Sequence, residues 1–558
     1  MTTPALELRD LNVWFDKRGQ IKDPEQIHTV KGLNLSIAAG ERVGLVGESG
    51  CGKTTTILAA LGLLPSSATV SGSVRVNGDD VIEHGESSIK AHRWKDIAMV
   101  FQGAMSAFNP VKTVGWQIVE ALQTHRIADG KMAEVRTREL LELVGLSAAV
   151  ADRYPHQLSG GMKQRAVIAM ALSCNPTVLL ADEPTTALDV IVQDQILRLL
   201  VRLSEELNLA LVLVTHDLGV VAQTCTRAAV MRHGEIVESG PVDDLYRRPQ
   251  HPYTRALFEA TPSLTEVGDR LPQSEVDRVT PLLSVTDLVV EYDTAGRRSS
   301  PKPAPGETHD HAAAVAGVDL RVEEGALVAL VGQSGCGKTT TLQTILGMQP
   351  ATSGSIVIEG TEVTRLGARA WRPLRRHIQM IYQDPYEALD GRLRVDETVE
   401  EPLLVHRIGG NKSARRQLVR EALADVGLDP DQYVDRYPHE LSGGQRQRVA
   451  IAASLVLRPR LLLADEPVSM LDVSVRTGIL ELLDRLRHEH RMGILMITHD
   501  LSTAAKYADR IIVMRAGRIV EEGTPWHIVR EPDSEYTRQL LASVPNPDPL
   551  ARSGPDAA

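Results

Sequence analysis

Gly47-Glu48-Ser49-Gly50-Cys51-Gly52-Lys53-Thr54 is the stretch that decides the fold of this 558-residue chain. It follows an apolar run, Val43 to Val46, and precedes a run with a helical pattern, Thr55 to Leu64. The stretch fits GxxxxGK[ST], in which glycines let successive backbone N–H groups converge on phosphate oxygens at a helix N-terminus. The sequence therefore predicts a phosphate-binding loop, or P-loop, between a strand and a helix.

The same arrangement occurs a second time. Gly332-Gln333-Ser334-Gly335-Cys336-Gly337-Lys338-Thr339 lies between an apolar run, Ala326 to Val331, and another helical pattern. A chance glycine-rich turn could explain one copy, but not two copies in the same context. In each copy we expect the lysine to reach the terminal phosphates of a nucleotide and the threonine hydroxyl to face Mg²⁺.

Composition and charge narrow the class of protein. A chain of 558 residues is too long for one core, so two domains of more than about 200 residues each are expected. Apolar residues at 43% and charged residues at 24% are typical of a soluble globular protein, and a net charge of −11 disfavours broad binding to nucleic acid. No apolar run approaches the roughly 20 residues of a membrane span, and the first residues lack a signal segment, so a cytosolic location is expected.

The number and spacing of the cysteines argue against stabilisation by disulfides or by zinc. The four cysteines do not stand at metal-ligand spacing, and two of them lie inside the P-loops. Neither a disulfide framework nor a zinc site is therefore expected. The cysteines are Cys51, Cys174, Cys225 and Cys336.

The order of patterns along the first half predicts an α/β domain. Leu6 to Phe15 and Val30 to Ile37 alternate apolar and polar residues, as half-buried strands of a small antiparallel layer do. Residues from Gly103 to Gln157 have helical spacing, which predicts a helical subdomain. Val178 to Ala181 and Leu209 to Val214 are short apolar runs, typical of parallel strands buried on both faces.

The second half repeats this order, so the chain is a tandem duplication. We expect a first domain at 1–262, a polar, proline-bounded linker at 263–281 and a second domain at 282–545. A disordered tail is predicted at 546–558. A stretch within the second half, 294–311, is predicted to be a solvated surface loop.

Two adjacent carboxylates end a buried strand in each half. Val178-Leu179-Leu180-Ala181-Asp182-Glu183-Pro184 has its counterpart in Leu461-Leu462-Leu463-Ala464-Asp465-Glu466-Pro467. A carboxylate charge at the end of a buried strand costs free energy unless an opposite charge lies beside it. The paired acids therefore suggest a bound cation and a reaction. We assign Asp182 and Asp465 to Mg²⁺, and the glutamates that follow them to activating a water molecule.

A third duplicated motif begins a helix with a serine and two glycines. Leu158-Ser159-Gly160-Gly161 and Leu441-Ser442-Gly443-Gly444 each precede an apolar helical run. A serine N-cap with a glycine turn would explain one isolated copy. Two copies favour backbone N–H groups presented to an anion.

Together these motifs resemble those of the ATP-binding cassette (ABC) ATPases over nearly the whole chain. The resemblance includes a Q-loop glutamine, a D-loop and a switch histidine in each half. It implies a head-to-tail pairing of the halves, with ATP held between the P-loop of one and the serine-glycine signature of the other. Site one would combine Lys53, Asp182, Glu183 and His216 with Ser442 and Gly444; site two would combine Lys338, Asp465, Glu466 and His499 with Ser159 and Gly161.

The resemblance implies a role for each candidate residue, and both sites are expected to hydrolyse ATP. The catalytic residues would be Glu183, His216, Glu466, His499, Gln102 and Gln383. ATP would contact Phe15, Gly47, Ser49, Gly50, Cys51, Gly52, Lys53, Thr54, Thr55, Ser159, Gly160, Gly161, Tyr292, Gly332, Ser334, Gly335, Cys336, Gly337, Lys338, Thr339, Thr340, Ser442, Gly443 and Gly444, with Phe15 and Tyr292 stacking on adenine. Mg²⁺ would be bound by Thr54, Gln102, Asp182, Thr339, Gln383 and Asp465.

Each half ends in a similar segment. Pro249 to Pro262 and Pro532 to Pro545 share a tyrosine-threonine-arginine sequence, and a proline-started amphipathic helix is predicted for both. As a family marker, the segment resembles the C-terminal extension of ATPases from dipeptide, oligopeptide, nickel and glutathione importers. Peptide import is the leading interpretation, with glutathione or nickel import as alternatives. Some of those relatives carry a cysteine cluster that is missing here, so no iron–sulfur centre is expected.

The resemblance also implies partners. Two integral membrane subunits would dock near Gln102 and Gln383, and an extracytoplasmic protein would deliver the cargo. One copy of the chain would serve each transporter, peripherally at the cytoplasmic face of the cell membrane, with no nucleic acid partner. A competing hypothesis is a soluble tandem-cassette ATPase that acts on ribosomes or nucleic acid. The short linker, which is not basic, disfavours that alternative.

Overall fold

The computed structural model describes residues 3–16, 26–83, 85–103, 107–186, 188–261, 263–264, 281–292, 313–384 and 388–551. The chain divides into two compact units, Met1–Thr261 with Pro545–Ala558, and Pro262–Val544. The predicted surface loop 294–311 lies outside the described residues, as does most of the predicted linker. The prediction of two α/β P-loop domains, each with an antiparallel layer and a helical subdomain, is confirmed.

The first unit contains one antiparallel sheet and one mainly parallel sheet, with strand orders β2-β1-β4-β5 and β10-β9-β3-β8-β7-β6. The strands are β1 (Leu6–Asp16), β2 (Gln26–Ile37), β3 (Arg42–Val46), β4 (Ala68–Val76), β5 (Asp79–Asp80), β6 (Ile97–Val100), β7 (Val178–Asp182), β8 (Ala210–Thr215), β9 (Arg227–Arg232) and β10 (Glu235–Pro241). The helices are α1 (Lys53–Ala60), α2 (Glu86–His92), α3 (Val114–Thr124), α4 (Gly130–Leu143), α5 (Gly160–Ala171), α6 (Val190–Glu206), α7 (Leu218–Thr224), α8 (Val242–Arg247) and α9 (Pro252–Ala260).

Both faces of the mainly parallel sheet are covered, which explains why its strands are continuously apolar. Along β7, Leu179 and Ala181 belong to the core shared with the helical subdomain. Val178 and Leu180 point the other way, into the core shared with the antiparallel sheet and α1. This two-sided burial is typical of parallel sheets in α/β proteins.

The register of the parallel strands brings the predicted motifs to one edge of the sheet. Val46, at the end of β3, pairs with Thr215 at the end of β8, and Asp182 pairs with Val214. Val100 at the end of β6 pairs with Ala181. The segments that follow these strands therefore meet beyond their carboxyl ends, where ligands of α/β sheets bind.

The helical subdomain of the first unit consists of α3, α4 and a 3₁₀ turn at Ala148–Asp152. Ile118 and Leu122 on α3 are fully buried, as is Leu141 on α4, and they share one core. Their spacing of three or four residues is the periodicity that predicted helices here.

The second unit repeats both sheets, with strand orders β12-β11-β14-β15 and β16-β17-β18-β13-β19-β20. The strands are β11 (Leu283–Val290), β12 (Val315–Val322), β13 (Leu327–Val331), β14 (Ser353–Ile358), β15 (Thr361–Glu362), β16 (Ile378–Ile381), β17 (Leu461–Asp465), β18 (Gly493–Thr498), β19 (Arg510–Arg515) and β20 (Arg518–Gly523). The helices are α10 (Lys338–Ile345), α11 (Ala368–Leu374), α12 (Val395–His406), α13 (Lys412–Asp425), α14 (Pro430–Tyr433), α15 (Gly443–Leu455), α16 (Val473–His490), α17 (Leu501–Tyr507), α18 (Pro525–Arg530) and α19 (Glu535–Ala542).

The C-terminal segment of the chain corrects the prediction of a disordered tail from residue 546. Residues 546–551 are described, with a 3₁₀ turn at Pro549–Ala551, and they belong to the first unit. Pro547 is buried, and Asn546 Oδ1 accepts the backbone N–H of Asp548 at 2.9 Å. Prolines lose little conformational entropy on ordering, so a short segment with side-chain caps can be held in place. Residues 552–558 lie outside the described part of the chain.

Candidate active site

The first P-loop joins β3 to α1 and surrounds the side chain of Lys53. The Nζ atom of Lys53 donates to the carbonyl oxygens of Gly47 at 2.7 Å and Glu48 at 2.9 Å. Gly47 has a φ of 154°, and a Cβ there would lie 2.2 Å from the carbonyl oxygen of Met231, so only glycine fits. The loop places the ammonium group beside the N-terminus of α1, an arrangement that binds phosphate.

Glu183 follows β7 directly, and side chains from two other segments, together with the nearby Thr186, hold its carboxylate. Gln102 Nε2 donates to Oε2 at 2.7 Å, and Thr186 Oγ1 donates to the same oxygen at 2.9 Å. His216 Nδ1 lies 2.9 Å from Oε1. The φ of Glu183 is 42°, a value that is unfavourable for a residue with a side chain and that is concentrated at functional sites.

The protonation state of Glu183 suits a general base. Burial acts to raise the pKa of Glu183, but the hydrogen bond and charge of His216 and the hydrogen bond from Thr186 outweigh it. The net result is a pKa below the ordinary value for glutamate. The carboxylate is therefore ionised at neutral pH and fixed in orientation, as proton abstraction from water requires.

Asp182 ends β7 and is only 2% exposed, and its Oδ1 accepts a hydrogen bond from Thr54 Oγ1 at 3.3 Å. Burial raises the pKa of Asp182 to about 6; the charge of Glu183 adds to this increase, while the Thr54 hydroxyl opposes it. The carboxylate oxygen of Asp182 and the hydroxyl oxygen of Thr54 are hard ligands of the kind that Mg²⁺ prefers. A cation bound to them would offset the free-energy cost of burying the carboxylate charge. The side chains present therefore fit a magnesium ion.

In the second unit a glutamine and a histidine also contact the glutamate, whereas Ser469, at the position of Thr186, donates to the backbone carbonyl of Glu466. Gln383 Nε2 donates to Glu466 Oε2 at 3.0 Å, and His499 Nδ1 lies 3.2 Å from that oxygen. Glu466 has a φ of 46°. Burial acts to raise the pKa of Glu466, but the hydrogen bond and charge of His499 bring it below the ordinary value. Both candidate general bases are thus in the same state.

The second P-loop also repeats the first. Lys338 Nζ donates to the carbonyl oxygens of Gly332 at 2.7 Å and Gln333 at 2.9 Å. Thr339 Oγ1 lies 3.5 Å from Asp465 Oδ1, and burial raises the pKa of Asp465, as does the charge of the neighbouring glutamate. The duplicated sequence motifs therefore form duplicated sites.

The signature motif caps a helix in each unit. Ser159 accepts the backbone N–H of Met162 at 3.3 Å at the start of α5. A Cβ on Gly161 would lie 2.5 Å from Val192 Cγ1, so this glycine permits close packing of α5 against α6. Their role toward the ATP of the opposite half stays a prediction. The second motif has the same features at Ser442, Gly444 and Val475.

The two aromatic residues that were predicted to stack on adenine differ in their surroundings. The hydroxyl of Tyr292 lies 3.1 Å from Thr340 Oγ1, beside the second P-loop. Phe15 lies on β1, half-buried, and packs against the core shared with α1. Stacking on adenine stays a prediction for both.

Three residues at the sites were missed from the sequence. Thr186 stands three positions after Glu183, so the sequence does offer a hydroxyl close to a candidate catalytic carboxylate. Tyr253 Oη accepts the N–H of Glu48, and Tyr536 Oη that of Gln333, at 3.1 Å each. The repeated tyrosine was interpreted only as a family marker, because no local pattern links it to a loop 205 residues away.

Two further observations concern the helices and the cysteines. Among the described residues, every helix is too short or too polar to cross a lipid bilayer. All four cysteines belong to the described residues, are buried and are not joined by disulfides, so the side chains at 51 and 336 are thiols within the P-loops.

Family models match both halves of the chain. The model described as ABC transporter matches residues 30–186 and 315–469. The model described as Oligopeptide/dipeptide transporter, C-terminal region, matches residues 237–281 and 520–557. A model described as AAA domain, putative AbiEii toxin, Type IV TA system, matches residues 151–222.

Curated relatives align with nearly the whole chain. The Glutathione import ATP-binding protein GsiA of Pectobacterium atrosepticum is 40% identical over 98% of this chain and 90% of its own length. The proteins of the same name from Salmonella typhimurium and Escherichia coli O157:H7 are 41% and 40% identical, with the same coverage. Among solved structures, the ATP-binding cassette MJ0796 in a post-hydrolysis state with ADP and Pi is 28% identical; the match covers 44% of this chain and 98% of that one, with a TM-score of 0.38.

The family predicted from the motifs is therefore confirmed. Each half carries one ABC transporter match, and the C-terminal region of oligopeptide and dipeptide transporters follows each match. The chain belongs to the ABC transporter family and is one of its ATPases, with two cassettes in tandem.

Proposed function

We propose that this chain is the energy-coupling subunit of an importer of small peptides, glutathione among them. The observation that carries the proposal is the 40% identity over 98% of the chain to proteins named for glutathione import, together with a peptide-transporter C-terminal region in each half. Glutathione is itself a tripeptide, so the two lines of support agree on a cargo class. Nickel import, the other alternative, has no such support.

The proposed chemistry is hydrolysis of MgATP at both P-loops. Lys53 would bind the terminal phosphates, and Thr54 and Asp182 would hold Mg²⁺, which neutralises phosphate charge. Glu183 would take a proton from the attacking water, because its carboxylate is ionised and held by Gln102 and His216. The matching contacts around Glu466 support hydrolysis at the second site as well.

The proposed membrane partners would dock beside the two Q-loop glutamines. Phe101, next to Gln102, is an exposed aromatic residue, and Val111 and Trp116 are exposed in the segment that follows. Exposed apolar side chains within a short stretch of sequence favour contact with another protein. Two membrane subunits per chain, a peripheral position at the inner membrane face and an extracytoplasmic binding protein are parts of the same proposal.

A variant on this exposed surface tests the docking. Trp116→Asp should reduce co-purification of membrane subunits from solubilised membranes by at least about tenfold, while the ATPase rate of the isolated chain stays unchanged. Leu207→Asp is the matched control, because Leu207 is also exposed but precedes β8 at the amino-terminal edge of the sheet. Equal recovery of membrane subunits with both variants would contradict docking at this surface.

Uptake in cells tests the cargo. Cells that lack this chain should take up labelled glutathione more slowly than cells that express it, whereas a chain with Lys53→Ala and Lys338→Ala should not restore uptake. A dipeptide and Ni²⁺ serve as the competing cargoes. Loss of Ni²⁺ uptake with unchanged peptide and glutathione uptake would refute the proposal.

A further inference from the structure

A tyrosine from each C-terminal extension contacts the P-loop of its own unit. Tyr253 on α9 and Tyr536 on α19 are 8% and 3% exposed. Their hydroxyl oxygens accept the backbone N–H groups of Glu48 and Gln333, the second residue of each P-loop motif, at 3.1 Å in both units. The same contact between segments distant in sequence occurs in both units, which argues against coincidence.

Groups of the same unit contact Tyr253 and the start of its helix. The guanidinium of Arg232 lies 4.7 Å from the centroid of the Tyr253 ring, and Arg232 ends β9, the neighbour of β3. The carboxylate of Glu238 on β10 accepts the backbone N–H groups of Gln250 and His251, just before α9 begins. The extension is therefore fixed to the same sheet that carries the P-loop.

The second unit anchors its tyrosine with equivalent groups. Arg515 lies 4.9 Å from the ring centroid of Tyr536, and the carboxylate of Glu521 accepts the backbone N–H groups of Asp533 and Ser534. His527 also lies near Glu521 and Asp533. This cluster has a structural explanation, since both oxygens of Glu521 already hold the start of α19.

The contacted P-loop residue is also the one that positions the lysine. The N–H of Glu48 is bonded to Tyr253, and the carbonyl oxygen of Glu48 accepts from Lys53 Nζ at 2.9 Å. A Cβ on Gly47, just before it, would lie 2.2 Å from the carbonyl oxygen of Met231, so the loop backbone passes close to β9 at this point. Loss of the tyrosine oxygen would remove this acceptor from a partly buried N–H, which favours a rearranged loop.

We infer that Tyr253 and Tyr536 are positioning residues for the nucleotide phosphates: each fixes the P-loop backbone, and through it the lysine. The C-terminal extension is then a structural part of each ATP site and not only a family-specific appendage. This inference rests on the assignment of ATP to the two P-loops.

The test is the full-length chain with Tyr253→Phe and Tyr536→Phe, which keeps both rings and removes only the hydroxyls. A net hydrogen-bond contribution of this kind corresponds to about a 2- to 12-fold change in affinity. We expect the Kd for MgADP and the KM for MgATP to rise within this range, while kcat stays within about twofold. Tyr246→Phe on α8, whose ring packs against Phe258, is the matched control and should change neither constant.

Two outcomes would overturn the inference, and they differ from failure of the ATP assignment. Unchanged Kd and KM would overturn it, and so would a lowered melting temperature with unchanged Kd, since the tyrosines would then only stabilise the extension. A chain with Lys53→Ala and Lys338→Ala that still binds MgADP would instead refute the P-loop assignment, and the inference with it. If the chain with both tyrosines replaced is not produced in folded form, Tyr536→Phe is made alone in a chain that carries Glu183→Gln. Only the second site would then hydrolyse ATP, so the KM for MgATP would report on that site.

Discussion

Replacing Asp182 by asparagine should stabilise the metal-free chain while it removes a proposed ligand of Mg²⁺. Burial raises the pKa of this carboxyl from its ordinary value of 3.8 to about 6 in the folded chain. That difference corresponds to about 3 kcal/mol at a pH where the group is ionised in both folded and unfolded states. Asparagine has a similar shape and no charge, so the variant avoids this cost.

The pH dependence follows from the sign of the shift. The pKa of Asp182 is higher in the folded chain than in the unfolded chain, so its contribution to the free energy of unfolding is fully present below pH 3.8. That contribution is lost as the pH rises through about 6. The stability difference between Asp182→Asn and the parent should thus be greatest above about pH 6. It should shrink to about half by pH 5.

Thermal unfolding in EDTA without nucleotide measures this effect. For a domain of this size, about 3 kcal/mol raises the melting temperature by roughly 6 to 12 °C at most. Glu235→Gln, at an exposed carboxylate, is the control and should leave it unchanged. A variant that melts below the parent at pH 8, or a difference that grows as the pH falls to 5, would refute the reasoning.

Three further predictions concern the same sites. Glu183→Gln and Glu466→Gln, made separately, should each slow ATP turnover markedly, and together they should lower kcat by ~10² to 10⁴ with MgATP binding retained; an unchanged rate would contradict their role as bases. Thr186→Val in a Glu466→Gln chain should lower kcat about tenfold, since a donor to an ionised carboxylate is lost; equal kcat would refute this. Gly47→Ala should destabilise the chain by at least about 2 kcal/mol in urea unfolding, because its Cβ would clash with a carbonyl oxygen, whereas Gly240→Ala meets open space and should not; similar losses would argue against the clash.

Much of each site could be predicted from the sequence because its residues stand close to the ends of buried strands. Lys53, Glu183 and His216 each follow a continuous apolar run, and parallel pairing brings the ends of those runs together. The pattern of the run predicts the strand, and the rule for parallel sheets predicts the shared edge. Duplication of the order strengthens each assignment.

Helix boundaries were predicted less well, for local reasons. The helix after the first P-loop was predicted over Thr55 to Leu64 but spans Lys53–Ala60, because Gly62 takes a φ of 59° and ends it. A proline starts α9, as predicted, but not α19, which begins at Glu535. Both helices begin directly after the two residues whose N–H groups a strand carboxylate accepts, and apolar patterns do not show that contact.

Contacts between distant segments could not be predicted at all. The bond from Glu48 to Tyr253 joins residues 205 positions apart, and neither residue carries a local signal of it. The ordered C-terminal segment is a similar case, since Pro545 lies where a side chain on Gly219 would be. A polar, proline-rich ending predicts disorder only when nothing packs against it.

ATP-driven uptake by reconstituted vesicles tests the central claim most directly. The chain would be purified with the proposed membrane subunits, inserted into vesicles with the proposed binding protein, and supplied with MgATP and labelled glutathione. We predict that glutathione accumulates only with ATP and that Glu183→Gln combined with Glu466→Gln abolishes both accumulation and phosphate release. Accumulation that persists in this double variant, or ATP hydrolysis by the parent complex without movement of glutathione or any small peptide, would contradict the account.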